Sequence, residues 1–320
     1  MTKWRRKTLT RPNPNMASPA PNLGQKSTDG FILVAVLWIL GGLAVLAGIY
    51  ALYVVNAATS LDVNNDRIQT NASVSAALEL TSYYLGAVKP EERPTSGTFS
   101  FRVGGSNVAV NFLSEAARID LNMAPQPLLA GLFGVLGAQA DAANNYAERV
   151  IGWRTPATST NLDAAQSDDR ETTAYRNAGL TYNPRLAPFA HAQELWLVLG
   201  LPPALIERAR SFVTVFSGMA TVNVMDAAPE VIAALPGMTP DRLDAVLKQR
   251  NALPQDAALL LQMLGPAQGS TTMQGSKAIR VTVRVGLANG RRVNAEAVIL
   301  LLEDAPDPYR VLSWTDDFDG

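Results

Sequence analysis

Residues 31–55 read FILVAVLWILGGLAVLAGIYALYVV, and this run sets the N-terminal architecture. It holds no charged side chain and no Asn, Gln, Ser, Thr or Pro. At about 1.5 Å per residue, a helix of this length spans roughly 37 Å, enough for a bilayer core of about 30 Å. Lys3, Arg5, Arg6, Lys7, Arg11 and Lys26 precede it against Asp29 alone. The first polar side chain beyond it is Asn56 and the first charged one is Asp62. Positive charge before the run and acid after it predict an inward N-terminus, with everything after about residue 60 outside the cytoplasm.

Three readings of the run follow. Val55-Asn56-Ala57 offers a small-residue cleavage site for a secretory signal, although an ordinary signal has only about 7–15 apolar residues. An uncleaved signal anchor is the second. The third rests on the abrupt start, where polar Ser27-Thr28-Asp29-Gly30 gives way to Phe31-Ile32-Leu33-Val34. Met16 offers a second start that shortens the leader.

Downstream, no proline occurs from Phe31 to Lys89. Leu61, Ile68, Ala72, Ala76, Leu80 and Tyr83 recur at helical spacing. One long helix over 31–90 is the simplest reading, with 31–55 in the membrane and the rest packed on a globular part. A break near Asn64-Asn65 is the alternative.

Thr98-Phe99-Ser100-Phe101-Arg102-Val103 alternates, Gly104-Gly105-Ser106-Asn107 turns, and Val108 to Phe112 returns, which predicts a hairpin. A second hairpin is predicted from Ala278 to Leu287, turning at Ala288-Asn289-Gly290 and running back from Arg291 to Leu302. A short strand near Tyr309-Arg310-Val311-Leu312 follows. If both hairpins share a sheet formed by 91–120 and 270–320, residues 121–269 are an insertion, which loop-closure entropy tolerates. Helices are predicted there at Pro127–Leu136, Ala140–Trp153, Ala192–Leu199, Pro203–Phe212, Pro229–Leu235 and Pro240–Gln249.

The insertion repeats itself. Ile119 to Leu129 (IDLNMAPQPLL) is similar to Val222 to Ile232 (VNVMDAAPEVI), each an extended stretch followed by a proline-started helix. Val231 to Leu243 (VIAALPGMTPDRL) looks like a helix-hairpin-helix, with Gly237 for the tight turn and Thr239 as the cap. In nucleic-acid binders such a turn holds a phosphate. Here Pro240 removes a donor and Asp241 puts negative charge in that place, so a structural helical pair is the preferred reading.

Composition narrows the function classes. With 48% hydrophobic and 17% charged residues the 320-residue chain is a packed protein of two or three units. The absence of cysteine excludes disulfides, thiolate metal sites and cysteine catalysis. Beyond residue 30 there are 21 basic and 27 acidic side chains, which argues against a nucleic-acid partner. His191 is the sole histidine, and neither a Gly-x-Ser-x-Gly elbow nor a phosphate-cradling Gly loop occurs. His191 reads as a packed helix-start residue, Trp153, Trp196 and Trp314 as core anchors, and the chain as no enzyme.

Asp163, Asp168, Asp169 and Glu171 form an acidic, loop-like cluster. Such carboxylates suit calcium, which takes six to eight oxygens. A solvated acidic segment is the other reading.

A basic leader ending in Gly30, then Phe31 and an unbroken apolar helix, resembles a type IV prepilin leader. That resemblance implies cleavage after Gly30 by a prepilin peptidase and N-methylation of Phe31. Pilin-like proteins usually carry Glu at the fifth mature position, where this chain has Ala35. The order of the motifs from about residue 30 to 315 resembles the GspK family, the large minor pseudopilins of type II secretion, which commonly lack that Glu. Besides the two repeat segments and Leu235-Pro236-Gly237, the matching stretches are Pro188 to Leu195 and Pro308 to Trp314.

The resemblance implies an α+β fold. A long N-terminal transmembrane helix packs on a pilin-like antiparallel sheet, and a large all-α insertion contains the helix-hairpin-helix-like repeat. It implies a cytoplasmic leader (1–30), a single-pass bacterial inner-membrane anchor and a periplasmic C-terminal domain. The expected function is a non-catalytic tip subunit of the secretion pseudopilus. Expected partners are the I- and J-type minor pseudopilins, the major pseudopilin, prepilin peptidase and the inner-membrane assembly platform. Relatives often bind calcium in the insertion, so calcium is the one expected cofactor. A membrane-anchored helix-hairpin-helix DNA-uptake protein is the alternative, and an adaptor unrelated to pili a third possibility.

Overall fold

A computed structural model describes residues 29–156, 162–252, 257–303 and 305–317. The leader before Asp29 lies outside them. The chain divides into two compact units, residues 1–64 and 65–320. Helix α1 (Asp29–Gly86) supplies the described part of the first and continues into the second. Its stretch from Phe31 to Ala57 is apolar and long enough to cross a membrane, and none of it is buried. The break considered at Asn64-Asn65 does not interrupt the helical assignment.

Within the second unit, five strands form one antiparallel sheet in the order β1-β2-β7-β8-β9. Strands β1 (Ser96–Val103) and β2 (Ser106–Ser114) make the first hairpin. The short strands β3 (Ile119–Asp120), β4 (Val213–Thr214), β5 (Val222–Asn223) and β6 (Thr271–Thr272) lie apart from the sheet, pairing in parallel as β3 with β4 and β5 with β6. Strands β7 (Ala278–Gly286), β8 (Arg292–Leu301) and β9 (Tyr309–Asp317) complete the sheet. β9 runs to Asp317, well past the short strand expected near Leu312.

The alternation of side chains puts Val108, Val110, Phe112, Val281, Val283, Val285, Ala297 and Ile299 on one face. There they form one apolar cluster with Val74, Ala77, Leu78 and Leu85 of α1. The helix face against the sheet is not the one its apolar spacing suggested. Ile68, Leu80 and Tyr83 are exposed, while Thr70, Ser73, Thr81 and Ser82 are buried. The hydroxyls of Ser73, Thr81 and Ser82 donate to the carbonyls of Gln69, Ala77 and Glu79 at 2.7, 2.7 and 2.9 Å. Satisfied by their own helix, these short side chains enter the core and let helix and sheet approach closely.

The insertion leaves the sheet after Ser114 and returns at Ser276. Ser276 donates its backbone N–H to the Ser114 hydroxyl at 2.8 Å, closing the excursion at its root. The sequence-based boundaries at 121 and 269 therefore move outward, because β3 and β6 pair inside the insertion. The insertion holds helices α2 (Gln126–Val135), α3 (Ala140–Arg154), α4 (Leu162–Asn177), α5 (Pro203–Ala209), α6 (Pro229–Ala233), α7 (Pro240–Arg250) and α8 (Ala257–Leu264). Proline sits in the first turn of α2, α5, α6 and α7, where its missing N–H has no helical partner to lose. Ala192–Leu197 forms a 3₁₀ turn rather than an α-helix. The insertion has its own core, in which Leu128, Leu132, Phe133, Trp153, Tyr175 and Ile232 are buried.

Candidate functional site

Two stretches of the insertion follow the same order of elements. In the first, β3 leads through an Asp120 turn into α2, then a left-handed Gly137 (φ 99°) and α3. In the second, β5 leads through an Asn223 turn into α6, then Gly237 (φ 72°) and α7. Asp120 Oδ1 accepts from the N–H of Asn122 at 2.7 Å, and Asn223 Oδ1 from that of Met225 at 2.9 Å. Each second helix ends in an arginine that reaches back to its own turn. Arg154 donates to the carbonyls of Leu121 and Ala124, the latter at 2.7 Å. Arg250 donates to those of Val224 and Ala227, at 3.3 and 2.6 Å. Burial lowers the Arg154 pKa, and Asp120 partly offsets this.

The Gly237 turn is covered by the chain itself. A methyl at Gly237 would stand 3.4 Å from Pro266, and the Arg242 guanidinium donates to the Gly237 carbonyl at 3.2 Å. Thr239 accepts from the N–H of Arg242 at 3.4 Å.

The two cores meet at an ion network. Glu115, in a 3₁₀ turn (Glu115–Ala117), is almost fully buried. Arg280 of β7 donates to it through Nε at 2.7 Å and Nη2 at 3.2 Å, and through Nη1 to Glu296 of β8. Thr214 of β4 also donates to Glu115. Burial works to lower the Arg280 pKa, but the two glutamates outweigh it and raise it.

The residues singled out from sequence are scattered. Phe31 is 79% exposed at the start of α1, and Ala35 is partly covered. The side chain of Gly30's neighbour Asp29, and those of Asp163, Asp168 and Asp169, lie outside the described ones. The backbone of 162–177 is helical, so the loop reading of the acidic segment is corrected. Glu171 pairs with Arg149 at 2.9 Å, while its Oε1 is buried without a hydrogen-bond partner among the described residues. Burial raises the Glu171 pKa against the pull of Arg149. No group of three or more potential metal ligands occurs among the described residues.

Three further expectations change. His191 precedes a 3₁₀ turn but is exposed rather than packed. Trp153 is buried, whereas Trp196 and Trp314 are 43% and 38% exposed. Trp153 is instead the centre of an aromatic group with Tyr175 and Phe189, and donates to Glu194 at 3.2 Å. Burial pushes the Tyr175 hydroxyl up to about 12, and it accepts from the N–H of Leu199 at 2.9 Å.

An apolar surface of the second unit lies on α1 and β1. Leu80, Tyr83, Tyr84, Phe99 and Phe112 line a hollow of about 420 Å³. Gly97 makes room for it, since a methyl there would stand 2.5 Å from the Phe112 ring.

Residues 108–218 match the family model described as type II secretion system (T2SS), protein K. No curated protein matches the chain. Among solved structures, the chain is similar to one in the crystal structure of the GspK–GspI–GspJ complex from the type 2 secretion system of enterotoxigenic Escherichia coli. The two are 16% identical with a TM-score of 0.57, over 82% of this chain and 99% of that one. Sequence and fold point the same way: residues 108–218, from within β2 to just past β4, match the type II secretion system protein K model, and the fold is similar to that of a chain in the GspK–GspI–GspJ complex.

Proposed function

We propose that this chain is a minor pseudopilin at the tip of a type II secretion pseudopilus. The match of residues 108–218 to protein K carries the reading. It is supported by the apolar helix ahead of that domain and by the fold shared with a chain of a pseudopilin complex. In this reading Phe31–Val55 anchors the chain once in the bacterial inner membrane, with the rest in the periplasm. Prepilin peptidase cuts after Gly30, and Phe31 becomes the methylated N-terminus. Ala35 replaces the Glu that other subunits use to pair with a neighbour above, as suits a subunit with none. Without that neighbour, a carboxylate at this depth would be an unpaired charge in lipid.

The partners are I- and J-type minor pseudopilins, joined through the N-terminal helices above the major pseudopilin and the assembly platform. Leu80, Tyr83 and Tyr84, exposed in the second unit, offer these subunits a further apolar contact. The insertion is a structural cap, its two helical units being helix-hairpin-helix-like scaffolding. Calcium, where it binds, would be held by Asp163, Asp168, Asp169 and Glu171, whose Oε2 already pairs with Arg149. The DNA-uptake alternative is disfavoured by the turn covered by Pro266 and by Asp241 in the first turn of α7. The chain's role is assembly rather than catalysis.

The test is the mass of the mature N-terminal peptide from membranes with and without prepilin peptidase. An N-methylated Phe31 that vanishes without the peptidase supports the reading. An N-terminus near Ala58, or an uncut leader in both membranes, refutes it.

A further inference from the structure

A polar cleft of about 370 Å³ opens where the insertion meets the sheet, lined among others by Arg118, Arg210, Arg280, Glu296, Ser313 and Thr315. Two of its three guanidiniums are occupied. Arg280 is held by Glu115 and Glu296, and Arg210 pairs with Glu207 at 3.3 Å. The side chain of Arg118 has no hydrogen bond or ion pair among the described residues. Yet Arg118 is partly buried, and its backbone is fixed between the Glu115–Ala117 turn and β3. Burial lowers its pKa and Arg280 lowers it further, against Glu115 and Glu296. A guanidinium has five donors and no acceptor capacity, so removing it from water without a partner is unfavourable.

We propose that this cleft binds a single carboxylate group, gripped by the Arg118 guanidinium. The planar fork of arginine matches the two oxygens of a carboxylate. Ser313 and Thr315 line the same space and offer hydroxyl donors. Glu207 and Glu296 at the cleft and Glu115 behind it oppose a multiply charged phosphate more strongly than a single carboxylate. The carboxylate comes either from a partner polypeptide, as an Asp or Glu side chain or a C-terminus, or from a small free acid. The site stands independently of the secretion reading.

The test uses the full chain in detergent micelles, titrated calorimetrically with acetyl-Gly-Asp-Gly-amide, with its Asn counterpart and with sodium acetate. Saturable binding of the Asp peptide but not the Asn peptide, weakened about tenfold or more in Arg118→Gln, supports the proposal. Arg118→Lys keeps the charge but loses the fork, and binds in between. Binding of acetate without the peptide assigns the site to a small free acid, and binding of the peptide assigns it to a polypeptide. No saturation by either up to about 50 mM, far above a weak Kd of roughly 1 mM, overturns it. Equal binding by a folded Arg118→Gln also overturns it. Should that variant fail to fold, phenylglyoxal labelling of the unaltered chain decides. Arg118 must be protected by the bound probe while exposed Arg102 is not, and equal labelling of both overturns the proposal.

Discussion

Gly131 and Ala234 stand at equivalent positions in the two copies of the repeated unit, and they touch. A methyl at Gly131 would lie 2.0 Å from the Ala234 carbonyl oxygen. The aligned pairs Ile119/Val222 and Leu129/Ile232 are both 103 residues apart, as are Gly131 and Ala234. Equivalent positions that meet each other are what an approximate two-fold relation between the copies produces. The glycine allows α2 to approach the end of α6 closely.

Gly131→Ala therefore destabilises the insertion by about 1–3 kcal/mol, since the obstacle is backbone that cannot swing aside. Gly134 lies on the same helix with nothing within 4 Å of an added methyl. Gly134→Ala stabilises it by about 0.5–1 kcal/mol through helix propensity alone. Denaturant melts of both variants check the pair, and equal effects would remove the close-approach argument.

The arginines that end α3 and α7 make a second test. Each donates to two carbonyls of the turn that leads into the first helix of its copy, adding to the Asp120 and Asn223 turns. Arg154→Ala and Arg250→Ala each lose about 1.5–3 kcal/mol, the range for charge-assisted bonds to a partly buried acceptor. The bonds sit in separate units, so the double variant shows close to the sum. A thermal-melt cycle measures the coupling.

The sheet was legible because alternating Val and Ile, punctuated by Gly-Gly-Ser-Asn and Ala-Asn-Gly, leaves few other options. The proline-started helices were legible for the same local reason. The buried face of α1 was not, because Ser73, Thr81 and Ser82 look polar until their bonds to the preceding turn are seen. α4 was read as loop because its acids and Ser/Thr residues have weak helix propensity, and its burial of Tyr175 comes from tertiary packing. Arg118, without a hydrogen bond or ion pair among the described residues, has no sequence signature, since this depends on Arg280, 162 positions away, taking Glu115. The repeat at Ile119 and Val222 was visible, but not the arginines that complete it, because the second helices differ in length.

The junction between the cores predicts a strong asymmetry. Arg280→Ala leaves Glu115 buried with its principal cation gone, which costs about 3–5 kcal/mol. The double variant Arg280→Met with Glu115→Leu recovers much of this, because it removes both buried charges. Chemical denaturation of the single and double variants distinguishes them. A double variant as unstable as the single would show that Thr214 and Glu296 depend on the charged pair for position.

Glu171 predicts a pH dependence. Burial holds its pKa above the ordinary value of 4.5 in the folded state. A carboxyl whose folded pKa is raised contributes stability that is full below the unfolded value and is lost as pH rises through the folded value. Relative to Glu171→Gln, the unaltered chain therefore loses stability as pH increases from about 4 through the folded pKa. Paired melts across that window check the sign, and a gain with rising pH would mean that Arg149 outweighs burial.

The exposed face of α1 separates assembly from folding. Leu80 and Tyr83 are 42% and 76% exposed, so neither contributes much to the core. Leu80→Ser combined with Tyr83→Ser is expected to change stability by no more than about 0.5 kcal/mol. If this face packs against I- and J-type subunits, the same variant reduces their co-purification and lowers export of the secreted proteins. Tyr84 is left intact because its ring lies 6.1 Å from that of Phe112 and supports the sheet. Pull-down and secretion assays on the double variant read the outcome. Normal export and normal recovery of partners would show that subunit contacts run through another surface, leaving the membrane segment to carry assembly alone.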